Sequence, residues 1–344
     1  MNNAAAPPRT SGPGSGPDGV PAAIGLSPIL SARYKSEHLA RIADAAPGSR
    51  IVTVSLEGLA DSDLSDVEVL LRGPMPQGIF DRLLSRCPRL TWVHSATAGV
   101  ERVLTPLALE RGIAITNARG VFSDPIAEYV LMMILAISRR LPLLLELQRE
   151  RTWQPLEGRE MADITVGVVG LGSIGRRVAE LAMTFGARVI ATRRQPGAPE
   201  GLAGRIEVLP PEQLPDLMSR SDFIVLALPL TSGTEDMFDD NLLGHAKPGS
   251  WLINVARGAL VDERALLRVV REGPLGGAVL DAFRDEPLPD DSPLYRSPNI
   301  IVTPHTSWSS GRVLDRSIWL FCENLERFRK GEPLLNLVDP RAGY

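Results

Sequence analysis

The chain has 344 residues and a formal net charge of −4, from 37 basic and 41 acidic side chains. At about 150 residues per domain, this length predicts two domains that each bury their own core. The charge balance excludes a generally basic nucleic-acid-binding protein. Two cysteines, Cys87 and Cys322, are too few for a disulfide framework, which favours a reducing compartment.

The N-terminal segment 1–22 is rich in Pro, Gly and Ser, and it lacks the apolar core of a signal peptide. Such a composition buries too little apolar surface to offset the entropy of ordering, so we predict a disordered tail. The longest apolar stretch, 129–137, is too short to span a bilayer. These features predict a soluble cytoplasmic protein with no membrane partner.

From about Ala23 the chain alternates short apolar strands with helical segments. The first series runs to about Ala127, and its predicted strands are 51–55, 67–71, 90–94 and 112–116, with helices at 75–87 and 103–111. A long helical segment, 126–152, follows. Pro142 should kink or split it, because proline lacks the amide donor and clashes with the preceding turn.

A second alternating series extends from Ile164 to about Pro304. Its predicted strands are 164–169, 188–192, 223–228, 250–255, 276–280 and 300–303, and a last helix is predicted at 312–329. Strands that alternate with helices indicate parallel sheets covered by helices. The chain is therefore predicted to be an α/β protein with two such halves.

A glycine-rich turn follows the first strand of the second series. Gly170-Leu-Gly172-Ser-Ile-Gly175 lies between that strand and the helical segment 176–184. In this motif the first glycine permits a tight turn, the second lets a pyrophosphate approach the backbone, and the third lets the helix pack on the strand. The helix amino end also offers amides and a positive dipole to an anion. We therefore predict dinucleotide binding at this turn.

The end of the next strand distinguishes between the two nicotinamide dinucleotides. NAD sites place an acid about 20 residues after the glycines to hold the ribose 2′-hydroxyl. Here that strand ends in Thr192-Arg193-Arg194, with no acid beside them. Two guanidinium groups suit a 2′-phosphate, and the alternative is a solvated basic turn. The sequence favours NADP(H) as the cofactor, with NAD(H) as the second choice.

Three ionisable side chains each come just after a predicted strand of the second series. They are Arg257, Glu286 and His305. Because the carboxyl ends of parallel strands meet along one edge of a sheet, these side chains can converge on a single crevice although they are far apart in sequence.

The motifs around these residues resemble those of the D-isomer-specific 2-hydroxyacid dehydrogenases. The resemblance covers nearly the whole chain from about Ala23, and it is carried by GLGSIG at 170–175, LPLT at 228–231, INVARG at 253–258, LDAFRDEPLP at 280–289 and TPHTSW at 303–308. It implies two doubly wound parallel sheets. A split, flavodoxin-like substrate domain (23–128 plus 309–344) would contain an inserted Rossmann domain (129–308) that binds NAD(P).

The resemblance also implies catalytic roles. His305 would be the general acid/base that protonates the ketone oxygen as hydride arrives. Glu286 would hydrogen-bond the other ring nitrogen and favour the protonated imidazole. Arg257 would bind the substrate carboxylate and polarise the carbonyl, so no metal is expected. Related formate dehydrogenases carry Gln where this chain has Glu286, so the acid favours a substrate that needs proton transfer.

The remaining implied contacts involve the substrate and the dinucleotide. The loop Thr97, Ala98, Gly99 and Val100 resembles the loop whose amides hold the substrate carboxylate. The implied cofactor contacts are Ser173 and Ile174 at the pyrophosphate, Leu228, Pro229 and Thr234 at the adenosine, the Val255 carbonyl and Asp281 at the nicotinamide carboxamide, and His305. Phe122 is placed near the substrate, and Trp308 either shapes the pocket or packs. His38, His94, His245 and both cysteines are interpreted as structural.

The sequence favours an NADPH-preferring reductase of glyoxylate, hydroxypyruvate or a bulkier 2-ketoacid, which acts as a homodimer. A phosphoglycerate-type dehydrogenase is one alternative, although the chain ends at Tyr344 without an appended regulatory domain. A phosphite dehydrogenase is another. A third alternative, from a different class, is a corepressor-like binding protein that senses the dinucleotide. Turnover of a 2-ketoacid distinguishes a dehydrogenase that reduces 2-ketoacids from the corepressor-like protein, which binds the dinucleotide without such turnover.

Overall fold

The computed structural model describes residues 14–29, 34–195 and 197–340. These residues form two compact units. The first unit comprises the described residues up to Phe122 and from Ser310 onward, and the second comprises Ser123–Ser309. Each unit contains one parallel sheet with helices, and the second unit is inserted into the sequence of the first. The predicted fold class, two doubly wound α/β halves, is confirmed.

The sheet of the first unit has five parallel strands in the order β2-β1-β3-β4-β5. The strands are β1 (Ala23–Leu26), β2 (Arg50–Thr53), β3 (Val67–Arg72), β4 (Trp92–Ser95) and β5 (Ala114–Asn117). This is the flavodoxin-type order, in which the winding reverses between β1 and β3. Strand β1 was not predicted, because its four residues include Gly25 and give no clear periodicity.

The sheet of the second unit has seven parallel strands in the order β12-β11-β10-β9-β6-β7-β8. The strands are β6 (Thr165–Val169), β7 (Arg188–Thr192), β8 (Glu207–Leu209), β9 (Phe223–Leu226), β10 (Trp251–Asn254), β11 (Gly277–Leu280) and β12 (Ile300–Val302). The winding reverses between β6 and β9, which is where ligands bind in open α/β sheets. The edge strand β8 was not predicted, since three residues are too few for a periodic pattern.

Ten α-helices accompany these strands in the described part of the chain. They are α1 (Ser36–Ala45), α2 (Gln77–Arg86), α3 (Pro106–Glu110), α4 (Ser123–Ser138), α5 (Leu141–Arg149), α6 (Ser173–Thr184), α7 (Leu214–Arg220), α8 (Asp240–Leu243), α9 (Glu263–Glu272) and α10 (Val313–Lys330). None of them is both long enough and apolar enough to cross a membrane.

The predicted interruption at Pro142 is confirmed. Helix α4 ends at Ser138, and α5 begins at Leu141 after Arg140, which has a left-handed backbone with φ 55°. Pro142 lies in the first turn of α5, where an amide has no intrahelical acceptor to lose. The proline therefore starts a second helix rather than bending the first.

Aromatic packing fixes the C-terminal helix α10 on the first sheet. The indole of Trp92 in β4 is fully buried, with ring centroids 5.5 Å from both Phe321 and Phe328 of α10. These large apolar rings leave water together, which stabilises the association of distant parts of the sequence. The last helix thus belongs to the same unit as the N-terminal strands.

Part of the segment predicted as a disordered tail is placed on the first unit. Residues 1–13 lie outside the described residues, but a 3₁₀ turn forms at Pro17–Gly19 and Val20 is buried. The buried carboxylate of Glu68 accepts hydrogen bonds from the Ser15 amide at 3.0 Å and from Arg89 at 2.8 Å. A buried carboxylate needs such partners. Residues 14–22 are therefore ordered, and not part of the predicted disordered tail, because they hydrogen-bond to Glu68.

Candidate active site

The three glycines of the turn after β6 have distinct steric environments. Gly170 has φ 97°, and a Cβ there would lie 2.8 Å from the Ala227 carbonyl oxygen. A Cβ on Gly175 would lie 2.0 Å from the Gly170 carbonyl oxygen, whereas one on Gly172 would meet nothing within 4 Å. Gly170 and Gly175 are therefore required by packing, while open space lies beside Gly172. This is the space that a pyrophosphate needs at such a turn.

The amino end of α6 is suited to bind an anion. Gly172 is the N-cap, and among the described residues no side chain caps this end. The amides of Ser173 and Ile174 in the first turn lack intrahelical acceptors, and the helix dipole is positive here. The turn lies where the winding of the sheet reverses, between β6 and β9. These residues fit the diphosphate of a nicotinamide dinucleotide.

The end of β7 carries the predicted arginine pair. Thr192 is buried, and the Arg193 guanidinium donates to Gln195 Oε1 at 2.8 Å and to the Gly197 carbonyl at 3.3 Å. Arg194 is exposed beside it. Arg193 thus stabilises the loop that follows it through hydrogen bonds within that loop. Two cationic side chains, Arg193 and Arg194, therefore lie at the strand end where NAD sites carry an acid.

The turn after β9 is closed by one hydroxyl group. Thr234 Oγ1 accepts a hydrogen bond from the Thr231 amide and donates to the Pro229 carbonyl, both at 2.8 Å. Leu228 packs against the core of the second unit, and Val255 is buried directly after β10. These contacts fix the backbone of the turn 228–234 and of Val255. Contacts of these residues with a dinucleotide stay a prediction.

His305 and Glu286 form the central hydrogen-bonded pair of the candidate site. His305 Nδ1 lies 2.8 Å from one carboxylate oxygen of Glu286 and 3.0 Å from the other. A carboxylate only accepts, so Nδ1 carries the proton in this pair. Nε2 receives no hydrogen bond from the described residues, and the two side chains are 39% and 37% exposed. The imidazole therefore presents Nε2 to a ligand.

The carboxylate of Glu286 stays ionised at neutral pH. Burial raises its pKa, but hydrogen bonds from His305 and the Phe283 amide, with the charges of His305 and Arg257, outweigh burial and hold the pKa below its ordinary value. The Phe283 amide donates to Oε1 at 2.9 Å. An ionised Glu286 accepts the Nδ1 proton of His305 and so orients the ring.

Arg257 stands at the same edge of the sheet, just after β10. It is half-buried, its Nη1 donates to the Ala256 carbonyl at 2.9 Å, and its own carbonyl accepts from Asn254 at 2.9 Å. A Cβ on the next residue, Gly258, would lie 1.9 Å from the backbone of Phe283. Glycine therefore lets the Arg257 segment approach the segment that carries Glu286. The structure brings Arg257, Glu286 and His305 together, and their catalytic roles stay a prediction.

Asp281 has more partners within the protein than the sequence indicated. It is 1% exposed, and its carboxylate accepts from Thr303 Oγ1 at 2.7 Å and from the amides of Thr306 and Ser307 at 2.8 and 2.9 Å. Thr303 Oγ1 lies 2.6 Å from the hydroxyl of Tyr129 in α4. Asp281 was predicted as a nicotinamide contact, which stays a prediction, and Tyr129 and Thr303 were not foreseen as site residues.

In the first unit, the predicted carboxylate-binding loop is held by its own side chains. Ser95 Oγ lies 2.9 Å from Thr97 Oγ1, which donates to the Gly99 carbonyl at 2.8 Å. Asn117 Nδ2 donates to the Ala98 carbonyl at 2.8 Å, and Val100 is buried. The loop is therefore preorganised, as a binder of a small anion through backbone amides requires.

A buried arginine that was not predicted as a site residue supports the segment after this loop. Arg72 ends β3 opposite Ser95 and is 2% exposed. Its guanidinium donates to the carbonyls of Met75 and Arg102 at 2.6 and 3.0 Å and lies 4.8 Å from the Phe80 ring centroid. Burial lowers the pKa of Arg72 to about 10. From the sequence alone, an arginine at the end of an apolar strand cannot be recognised as buried and bonded to carbonyls rather than exposed to solvent.

Two other histidines, His38 and His94, and the two cysteines have structural environments, whereas His245 is exposed. His94 is fully buried, which lowers its pKa to about 3, and His38 is bonded through Nε2 to Asp315 at 2.8 Å. Cys87 and Cys322 are free and buried, and burial raises the pKa of their thiols to about 11 and about 12. Thiols in this state are poor nucleophiles.

Comparison with known proteins identifies the family. Residues 131–307, just over half of the chain, match the family model of the D-isomer specific 2-hydroxyacid dehydrogenase, NAD binding domain. The chain belongs to the D-isomer specific 2-hydroxyacid dehydrogenase family. A glyoxylate reductase of Korarchaeum cryptofilum is 32% identical over 305 residues, which cover 86% of this chain and 88% of that protein.

Solved structures of family members superpose on most of the chain. A D-isomer specific 2-hydroxyacid dehydrogenase from Xanthobacter autotrophicus Py2, in complex with NADPH and MES, has a TM-score of 0.83 at 31% identity and covers 94% of this chain and 100% of its own. An NADPH-dependent glyoxylate/hydroxypyruvate reductase from Sinorhizobium meliloti, with NADP and sulfate, has a TM-score of 0.80 at 29% identity, with 94% and 100% covered. The family resemblance is confirmed, and this 2-hydroxyacid dehydrogenase is an oxidoreductase of CH–OH groups.

Proposed function

We propose that this family member is an NADPH-preferring reductase of 2-ketoacids such as glyoxylate, hydroxypyruvate or a bulkier 2-ketoacid. The observation that carries the proposal is the His305–Glu286 pair at 2.8 Å, with Arg257 close enough to lower the pKa of Glu286. The similar proteins from Korarchaeum cryptofilum and Sinorhizobium meliloti are a glyoxylate reductase and an NADPH-dependent glyoxylate/hydroxypyruvate reductase. We also propose a cytoplasmic location, in keeping with the free, buried cysteines.

The proposed mechanism assigns one task to each side chain. Bound NADPH supplies the hydride. Arg257 binds the substrate carboxylate through its fork of donors and polarises the ketone. His305 Nε2 donates a proton to the carbonyl oxygen, and ionised Glu286 stabilises the imidazolium before that transfer. In the first unit, the loop 97–100 offers backbone amides that suit a carboxylate.

An initial-rate assay tests this function. NADPH and NADH are supplied in parallel with glyoxylate, hydroxypyruvate, pyruvate and phenylpyruvate, and loss of reduced-nicotinamide absorbance is followed. We expect oxidation of NADPH to be faster than oxidation of NADH. The ranking of the four 2-ketoacids then indicates how large a substrate side chain the pocket accepts. Tight nucleotide binding without turnover of any 2-ketoacid would contradict the proposal. It would favour a nucleotide sensor, or a different substrate such as phosphoglycerate or phosphite.

The arginine pair should determine cofactor preference. Arg193→Asp removes one cation from the end of β7 and provides the acid that NAD sites use. Because a charge-assisted hydrogen bond contributes about 1.5–3 kcal/mol, the ratio of kcat/KM for NADPH to that for NADH should fall by about 10-fold to 100-fold. Arg188→Asp, at the exposed opposite end of the same strand, makes the same charge change and should leave the ratio unaltered. Equal losses with both cofactors in Arg193→Asp would show that this residue does not recognise the 2′-phosphate.

We propose that α5 mediates a homodimer. None of its residues is buried, yet Leu141, Leu143, Leu144 and Leu145 stand together at 38–45% exposure, and Trp153 follows at 98%. Acidic and basic side chains (Glu146, Arg149, Glu150 and Arg151) flank these leucines. An apolar patch flanked by charges of both signs can pair with the same patch of a second copy about a twofold axis, as an isologous interface requires.

Sedimentation velocity tests the dimer. The wild-type chain should sediment as a dimer, and Leu144→Asp should sediment as a monomer because it places a charge in the apolar contact. Leu109→Asp is the matched control, since Leu109 in α3 is 43% exposed, close to the 39% of Leu144. A wild-type monomer, or dissociation by both substitutions alike, would exclude α5 as the interface.

A further inference from the structure

The turn that carries His305 has an unusual backbone. His305 has φ 48°, in the left-handed region that side chains other than glycine, asparagine and aspartate seldom adopt. Its amide donates to the Thr303 carbonyl at 2.9 Å, so the chain reverses tightly after β12. A backbone of this kind persists only where its surroundings hold it in place. The groups that hold it therefore determine where the imidazole lies.

Asp281 holds this turn from both sides of His305. Its carboxylate accepts from the Thr303 hydroxyl before the histidine and from the amides of Thr306 and Ser307 after it, at 2.7–2.9 Å. The accepting carboxylate is buried, with Asp281 at 1% exposure, and so is Ser307, at 4%. Three hydrogen bonds to a buried carboxylate are strong and directional. The conformation of His305 is thus fixed by a residue at the end of β11.

The hydroxyl of Thr303 links Asp281 to helix α4. A carboxylate only accepts, so Thr303 Oγ1 donates its proton to Asp281 and must accept from the Tyr129 hydroxyl, 2.6 Å away. Burial raises the pKa of Tyr129 to about 12, which keeps the phenol protonated as a donor. The direction of every hydrogen bond in the chain Tyr129–Thr303–Asp281 is therefore determined.

We propose that Thr303 and Tyr129 are positioning residues for His305, which act through Asp281. The inference rests on the proposed function, in which Nε2 of His305 delivers the proton. Without the Thr303 hydroxyl, Asp281 loses a bond on the strand side of the turn, and the buried Tyr129 hydroxyl loses its acceptor. The imidazole then samples positions away from Glu286 and the carbonyl oxygen. A displacement of about 1 Å at a reacting group costs about 100-fold in rate.

Thr303→Val is the decisive substitution, because it replaces the hydroxyl with a methyl group at nearly constant volume. We expect kcat for 2-ketoacid reduction to fall by about 30-fold, within the range that misplacement produces. KM for the 2-ketoacid should stay within about 2-fold, since neither residue is assigned to substrate binding. Tyr129→Phe, which removes one oxygen from the end of the chain of hydrogen bonds, should lower kcat by about 5-fold with the same pattern.

Two further variants separate positioning from packing. Thr303→Ser keeps the hydroxyl and should restore kcat to within about 3-fold of wild type. Thr184→Val is the control, because exposed Thr184, at the end of α6, also loses one hydroxyl hydrogen bond, to the Glu180 carbonyl at 2.8 Å, and it should behave as wild type. If Thr303→Val does not fold, the single variants Tyr129→Phe and Thr303→Ser test the proposal instead, through their kcat values. A wild-type kcat in Thr303→Val or Tyr129→Phe, or an equal loss in Thr303→Ser, would overturn the proposal.

A measurement without substrate distinguishes this proposal from the proposed function. The His305 Nδ1 proton bonded to Glu286 should give a low-field proton NMR resonance, assigned by its absence in His305→Asn. We expect the resonance in wild type and in Thr303→Ser, and its broadening or loss in Thr303→Val. An unchanged resonance in Thr303→Val would refute positioning even if the enzyme is active. Absence of turnover in the wild type, with the resonance changed as expected, would instead refute the reductase assignment alone.

Discussion

Replacing His305 with asparagine should lower kcat for 2-ketoacid reduction by about 1,000-fold, within the range attributed to a general acid. The reason is that Nδ1 is bonded to Glu286 at 2.8 Å, so Nε2 is the ring nitrogen assigned to donate the proton. Asparagine has no titratable proton to replace it. The Kd of NADPH should change by no more than about 3-fold, because the diphosphate is assigned to the glycine turn and α6. Steady-state rates and fluorescence titration of NADPH measure the two quantities.

Asparagine is chosen over alanine because of the backbone at this position. His305 has φ 48°, which asparagine tolerates and alanine does not. His305→Ala should show the same loss of kcat together with a lower Tm, so the pair separates the missing imidazole from strain in the turn. His245→Asn, at an exposed histidine outside the site, is the matched control and should retain wild-type kinetics. Normal turnover with lost affinity for NADPH would contradict the role of His305.

The parts of the site that sequence reasoning predicted are those encoded locally. The glycines at 170–175 follow a strand and start a helix, and their spacing alone specifies a turn in which Gly170 and Gly175 have no room for a side chain. Arg257 and His305 could be placed along one edge because each directly follows a strand of the same parallel sheet. In both cases a short stretch of sequence determines the geometry.

The unpredicted parts depend on contacts between distant residues. Tyr129 lies 174 positions before Thr303, and in sequence it is one more large side chain in an apolar helix. Asp281 was interpreted only as a cofactor contact, because nothing in its motif indicates that two later amides turn toward it. Arg72 ends a fully buried strand, where sequence gives no indication that its charge is satisfied by carbonyls. Partners of this kind are specified by tertiary packing and not by local patterns.

Replacing Arg257 with alanine should have the second large effect, a loss of about 1,000-fold in kcat/KM for the 2-ketoacid. The guanidinium is assigned both to the substrate carboxylate and to the charge that develops on the carbonyl oxygen, and removal of one such donor costs about 100-fold to 1,000-fold. Arg257→Lys should recover only part of this loss, because an ammonium keeps the charge but lacks the planar fork. Arg284→Ala, which removes a neighbouring arginine paired with Glu235 and Asp236, is the control and should retain activity.

The pH dependence of these variants provides a separate test of the placement of Arg257. Its positive charge is one of the causes that hold the pKa of Glu286 below its ordinary value, so in Arg257→Ala that pKa should rise. Glu286 is functional when ionised, and the fall in rate on the acidic side of the pH profile should therefore begin at a higher pH than in wild type. Arg257→Lys keeps the charge and should leave the acidic limb in place. If alanine changes neither kcat/KM nor the acidic limb, Arg257 lies outside the site. If alanine changes kcat/KM alone, Arg257 contacts the substrate without supporting the ionisation of Glu286.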